Sequence, residues 1–188
     1  HSTKMCIPEN MLIELPRLEE KYVLVEPLAV VCRGLSKMTF AKSRKILING
    51  FGTIGKLCSC ALNSMGLRHA VFDPNKNPSN PAELEFDILI ECSGSEKSLH
   101  QYNLEKRNNI DVLLFGFEYK NLPLDMVVYR EIKLIGSVGA SKEDFYSAIQ
   151  ILKSINQPID IEWFNPNQYH DAIRYFIDKR TKVGFSMD

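Results

Sequence analysis

The chain carries no surplus charge of either sign: Lys and Arg number 23, as do Asp and Glu. A nucleic-acid partner or an anionic membrane surface calls for a basic excess, so both are excluded as expectations. No apolar run approaches the roughly 18–20 residues that cross a bilayer. No signal-peptide pattern opens the sequence, since His1–Cys6 is polar and Ile7 is followed at once by Pro8. Cysteine is scarce: five residues, an odd number without a regular framework, which points to a reducing, cytoplasmic setting. Cys58 and Cys60 are two apart, and on a helix their side chains diverge, so they make a poor metal clip and read as packed thiols.

What is present is an ordinary globular composition, 45% hydrophobic and 24% charged, over 188 residues. That is enough for one domain with a sizeable core, plus a piece of another. From Arg44 onward, strand and helix signals alternate. Lys45–Asn49 is a short β-prone run ending at a glycine, the signature of a buried strand. Ile54, Leu57, Cys58, Ala61, Leu62 and Met65 recur at helical spacing, and Gly66 closes that helix. Further strands are expected at Arg68–Phe72, Phe86–Glu91, Ile110–Phe115, Ile132–Ile135 and Lys182–Ser186. A helix is expected from Ser95 toward Leu104. Another begins at Ser141 with Asp144 as its acidic capping partner and Phe145, Ala148, Ile149 and Leu152 as its core stripe. A last helix follows Asn165-Pro166, with Tyr169, Ala172, Ile173, Phe176 and Ile177 on one face. Trp163 and Phe164 fall between these two helices as an anchor for the C-terminal segment or an interface.

Strands alternating with helices over short connections imply an α/β fold, a doubly wound parallel sheet covered on both faces. Residues 44–188 form this Rossmann-like unit. Residues 1–43 read as a linker or remnant module: proline-punctuated and extended from Ile7 to Pro16, then helical with Leu28, Val31, Cys32 and Leu35 in register. His69 reads as a packing residue, and His100 and His170 as solvated.

The stretch that carries chemistry is Gly50-Phe51-Gly52-Thr53-Ile54-Gly55, a G-x-G-x-x-G between an expected strand and an amphipathic helix. Gly50 permits the tight turn, Gly52 lets a pyrophosphate approach bare backbone, and Gly55 allows close helix packing. The N–H groups of the first helical turn, with the helix dipole, favour the diphosphate. Asp73 ends the next strand, 21 residues after Gly52. A carboxylate there accepts from both ribose hydroxyls and repels a 2′-phosphate, so NAD is expected over NADP. The competing reading is a glycine-rich turn in the same fold that binds nothing.

Several blocks in order resemble the medium-chain, zinc-dependent alcohol and polyol dehydrogenases of the sorbitol or glucose type. They are Val25–Val30, the Gly50–Gly55 fingerprint, Phe86–Gly94 (FDILIECSG), Val112–Phe117 (VLLFGF), Ile132–Ser137 (IKLIGS) and Tyr169–Val183. The resemblance implies hydride transfer to or from a nicotinamide. Backbone at Cys92, Ser93, Gly94, Phe115, Gly116, Phe117, Ser137 and Val138 would meet the nicotinamide side. It implies a homo-oligomer, a dimer formed near Ile132–Ser137. In the family, zinc is held mainly by an N-terminal domain, whose Gly-His-Glu context surrounds none of His1, His69, His100 and His170. The chain is therefore expected to be that family's cofactor-binding domain without its zinc domain, with no catalytic residues of its own and little activity alone. Zinc would belong only to a full-length parent. Glu26 matches a position near zinc in polyol-type members, but in this chain the favoured role is an acid at a helix N-terminus that complements the dipole. Only twelve residues, Pro74–Glu85, separate Asp73 from the next strand. That is too short for a helix and a strand, so one βα unit is expected to be missing. The alternative is a shortened relative, catalytically dead, that serves as a binding or assembly module.

Overall fold

The computed structural model describes residues 6–73, 80–117, 119–122, 124–156, 159–179 and 181–186, apart from the side chain of Ser98. Five parallel strands form the main sheet: β1 (Ile46–Asn49), β2 (His69–Phe72), β3 (Ile88–Glu91), β4 (Asp111–Leu114) and β5 (Lys133–Gly136). Their order is β2-β1-β3-β4-β5. The sheet is doubly wound and shorter than a six-stranded Rossmann unit, in agreement with the short connection after Asp73. Half of the expected Pro74–Glu85 loop, residues 74–79, lies outside the described residues. Its end, Pro81–Glu83, is a single 3-10 turn capped by Asn80.

Among the described residues six helices accompany the strands: α1 (Val25–Ser36), α2 (Thr53–Ser64), α3 (Glu96–His100), α4 (Asp125–Tyr129), α5 (Lys142–Ser154) and α6 (Tyr169–Lys179). Strand residues point alternately to the two faces, and each face has its own apolar layer. Ile46, Ile48, Ile88, Ile90 and Leu113 meet α1, α2 and α5 through Leu28, Val31, Leu57, Cys58, Leu62, Ala148 and Leu152. Leu47, Leu89 and Val112 meet Phe72, Phe86, Leu99, Tyr102, Met126 and Ile132 on the other side. Helix α1 is thus part of the main core, packed on α5 and α2. At the N-terminal edge of the sheet, Arg44 ties three strands together. It donates to the buried Asp111 carboxylate at 2.5 Å and to the Asp87 carbonyl at 2.7 Å.

Helix α5 starts where its residues dictate. Ser141 accepts from the Asp144 amide, and the Asp144 carboxylate accepts from the Ser141 amide at 2.7 Å, a complete capping box. Elsewhere the expectations need adjusting. The helix begun at Ser95 is only α3, because Asn103 adopts a left-handed conformation (φ 48°) and restarts the chain as a 3-10 turn over Leu104–Lys106. The short helix α4 was not expected. Trp163 and Phe164 belong to a strand, β6 (Ile161–Phe164), which pairs in parallel with β7 (Lys182–Phe185). This second sheet, with α6 as its crossover, is separate from the first. Gly184 in β7 lies beneath the Trp163 ring: a Cβ there would sit 2.6 Å from it. The apolar face of α6 is mostly uncovered, with Ala172 buried but Tyr169, Ile173, Phe176 and Ile177 exposed, because a two-stranded sheet offers too little surface to cover a helix. No helix among the described residues is long and apolar enough to cross a membrane.

Ile90 is fully buried at the centre of the sheet. Ile90→Ala is expected to cost about 2–5 kcal/mol, by the lost burial and the cavity left behind. A denaturant titration checks this; a loss below about 1 kcal/mol would mean that the central strand is not packed as described.

Candidate functional site

The site forms where strand order reverses. From β1 the chain crosses to β2 on one side, and β3 pairs on the other. The crevice at the carboxyl ends of β1 and β3 is therefore the topological switch point, where open α/β sheets receive ligands. The turns after β1, β3, β4 and β5 all end on this edge, and they contain every residue of the expected nicotinamide and pyrophosphate contacts.

The glycine turn is shaped by close backbone contacts. Gly50 has φ +88°, and a Cβ there would lie 2.8 Å from the Ser93 amide nitrogen. Gly55 is buried in the first turn of α2, where a Cβ would come within 2.0 Å of the Gly50 carbonyl oxygen. Its small size thus serves contact with the turn as well as with the strand, where the Ile48 side chain is 3.5 Å away. Gly52 differs: a Cβ built on it would meet nothing within 4 Å. It is exposed and faces open space, as a backbone surface for an incoming group would. Thr53 and Ile54 complete the first turn of α2, half-buried like Phe51.

Two of the long core helices, α2 and α5, begin in opposite ways. α5 has its own acidic cap, whereas α2 has no side-chain cap and no acid in its first turn. An anion placed at the start of α2 would meet amide hydrogens and a favourable dipole, with no acid in the helix's own first turn to compete. Asp73 stands next to this turn. It directly follows Phe72, whose carbonyl accepts from the Gly50 amide at 2.8 Å.

Across the crevice, the turn after β3 is built on a buried carboxylate. Glu91 is fully buried and accepts from the Ser93 amide at 2.7 Å, the Ser93 hydroxyl at 2.5 Å and the Gly94 amide at 3.0 Å. Asn49, also fully buried, donates its Nδ2 to the other Glu91 oxygen. Tyr102 donates to Asn49 Oδ1 at 2.9 Å. Burial pushes the Glu91 carboxyl above its ordinary value, opposed by these hydrogen bonds. Nothing in the sequence reading marked Glu91, Asn49 or Tyr102. The available signal was a glutamate and an asparagine ending two otherwise apolar buried strands.

The remaining expected residues sit on the same edge. Cys92 lies behind the turn with its Sγ 3.7 Å from that of Cys58, and burial raises its pKa. The half-buried Cys32 is pushed up to about 11, chiefly by burial. These are inert, packed thiols. Gly116 presses on the β3 turn: a Cβ there would be 2.7 Å from Gly94 Cα. The Phe115 ring packs over Gly34 of α1, and Phe117 is exposed. Ser137 is buried, its amide donating to the Leu114 carbonyl at 3.2 Å, while Val138 is exposed. A separate cavity of about 330 Å³ lies on the flank of α2, lined by Lys56, Ser59, Cys60, Asn63, Ile159 and Asp160, and of the expected site residues it touches Phe51. Near it, His69 shares a hydrogen bond with Ser59 at 2.8 Å and reaches the Leu67 carbonyl at 3.1 Å. Glu26 is exposed on the first turn of α1. Among the described residues no three His, Cys, Asp or Glu side chains converge to form a metal site.

No family model matches the sequence. The glucose 1-dehydrogenase of Metallosphaera sedula is 29% identical over 92% of this chain. The chain spans about half the length of the curated relatives it matches, 56% in that case. Among solved structures, L-idonate 5-dehydrogenase from Escherichia coli aligns with 90% of the chain and 57% of its own length, at TM-score 0.73 and 21% identity. Acetophenone reductase from Geotrichum candidum, solved with NAD, aligns with 92% of the chain and 57% of its own, at TM-score 0.75 and 17% identity. Others of like fold were solved with NADH or NADPH. These solved structures share the doubly wound α/β fold of this chain.

The glycine geometry separates stability from ligand access. Gly55→Ala is expected to destabilise the fold by about 1–3 kcal/mol, since backbone must shift to admit the methyl group. Gly52→Ala, with open space around it, is expected to change stability by less than about 0.5 kcal/mol. Paired chemical-denaturation curves check both. Equal losses would contradict the described turn.

Proposed function

We propose that this chain is the NAD(H)-binding unit of an alcohol-, polyol- or sugar-type dehydrogenase, binding the dinucleotide without performing hydride transfer alone. The observation that carries this is the crevice at the switch point. It combines a three-glycine turn of bare backbone, an uncapped helix start free of acids, and a carboxylate one residue beyond the neighbouring strand. Gly50, Gly52 and Gly55, with Phe51, Thr53 and Ile54 between them, hold the pyrophosphate. Asp73 receives the adenosine ribose and disfavours a 2′-phosphate. The backbone at Cys92–Gly94, Phe115–Phe117 and Ser137–Val138 lines the nicotinamide side.

The likeness to glucose 1-dehydrogenases and to NAD-bound oxidoreductases supports this reading, in which the substrate chemistry belongs to a larger parent. When bound, the nicotinamide supplies the hydride acceptor or donor; this chain orients it. Zinc, which the resemblance implies for a parent, does not fit the donors described here, because Glu26 stands exposed and by itself offers too few ligands. No step of the reaction is assigned to it.

A second reading, a shortened relative serving as a binding or assembly module, is favoured by the sheet itself. It stops at β2, with no strand beyond it among the described residues to wall the adenine. Nucleotide titration separates the two. NADH is expected to bind with a fluorescence change and in preference to NADPH, and Asp73→Ala is expected to weaken NADH about tenfold, the loss of charge-assisted hydrogen bonds to the ribose. No change at millimolar cofactor leaves only the assembly role.

The other edge, β5, carries the proposed homodimer. It pairs with β4 alone among the described residues, and Val128, Tyr129 and Val138 are exposed near it. Sedimentation is expected to give a dimer and Val138→Lys a monomer; a monomeric parent chain refutes this interface.

A further inference from the structure

We propose that Glu91, acting as a carboxylate, is the positioning residue of the switch-point crevice: it gathers the Ser93–Gly94 turn onto one oxygen and Asn49 onto the other, and so sets the wall facing the glycine turn. This rests on the cofactor reading above and goes beyond it, because Glu91 is itself none of the expected ligand contacts and acts through Ser93 and Gly94.

The argument is one of hydrogen-bond parity. Asn49 and Glu91 are the last residues of β1 and β3 and stand side by side in register. The Tyr102 hydroxyl donates to Asn49 Oδ1, which leaves the Asn49 amide nitrogen to donate to Glu91. The other oxygen receives the Ser93 amide, the Ser93 hydroxyl and the Gly94 amide. Asn49 Nδ2 and the Ser93 and Gly94 amides can only donate, and the Ser93 hydroxyl donates as placed, so the site fits an acceptor-only, ionised carboxylate. A protonated Glu91, or a glutamine, would turn an N–H or O–H against one of them. The Ser93 amide in turn lies where a Gly50 Cβ would be, so any shift of this turn alters the crevice. The groups around Glu91 do not share its charge. Tyr102 and Tyr119 are pushed above their ordinary value by burial first and by Glu91 second, and stay neutral. Cys92 and Cys58 are packed thiols, and no ion pair reaches Glu91 among the described residues.

The consequence is a pair of opposite pH dependences. Burial holds the folded Glu91 carboxyl above its ordinary value. Its contribution to global stability is therefore fully present below the ordinary carboxylate range and is lost as pH rises through the folded pKa. Order in the Ser93–Gly94 turn, and with it cofactor affinity, runs the other way and falls as pH drops through that same pKa. A purely structural role would move stability and turn order together.

The test follows the Ser93 and Gly94 amides by NMR in the cofactor-free chain, and NADH affinity, both across pH. In the parent chain the two amides are expected to shift with a single protonation while the fold persists, and NADH binding to weaken with the same midpoint. In Glu91→Gln these amides are expected to exchange about tenfold faster, and the pH dependence of NADH affinity to vanish. Amides that do not titrate in the parent chain overturn the proposal, whether or not the variant folds. So does a folded Glu91→Gln with unchanged exchange and the same pH profile. If the amides titrate but NADH does not bind at any pH, Glu91 still holds the turn, and it is the cofactor reading that fails.

Discussion

The structure turns on one approach of main chain to main chain: the first turn of α2 resting on the carbonyl of Gly50, with no side chain between. A Cβ on Gly55 would come within 2.0 Å of that oxygen. Because helix and turn touch there, α2 begins directly beyond the carboxyl end of β1. The same turn is closed from the other side by the Ser93 amide. Two contacts of bare backbone therefore fix both the start of the helix and the width of the crevice. Everything attributed to the site, from the open Gly52 surface to the place of Asp73, depends on them.

A second layer of order lies beneath the turns. The ends of β1 and β3 carry polar side chains where the rest of those strands is apolar. Asn49, Glu91 and Tyr102 satisfy one another without solvent. A buried network of this kind is costly unless every member is paired. Here the pairing is complete, which locks a loop that otherwise has only a glycine at φ +66° to define it. The apolar strands supply cohesion, and their polar last residues supply geometry.

Much of this was legible in the residues alone. Strands such as Ile46–Asn49 and Ile88–Glu91 are short, apolar and bounded by turn residues, and helices α2 and α5 carry both a stripe and a stop or start signal, so local physics and tertiary structure agree. The loss of a βα unit could be counted from the connection after Asp73. What escaped was non-local. β6 is four residues whose strand character depends on pairing with β7, far along the chain, and α4 is too short for periodicity to register. The Glu91 network joins residues 42 and 53 positions apart through hydrogen bonds that no local pattern encodes. In α6 the pattern was visible, but a stripe of apolar residues does not say how much surface exists to cover it.

The β6–α6–β7 unit has a consequence for how the molecule comes apart. It joins the main core through Ile159 and Ile161, while its helix touches little beyond its own small sheet. Local opening free energies follow such differences in burial. The C-terminal unit is thus expected to open in thermal fluctuation at a lower free energy than the doubly wound core. Ile159 and Asp160, at the entry to this unit, line one cavity with Phe51 of the glycine turn, so its opening reaches the flank of the ligand-binding edge.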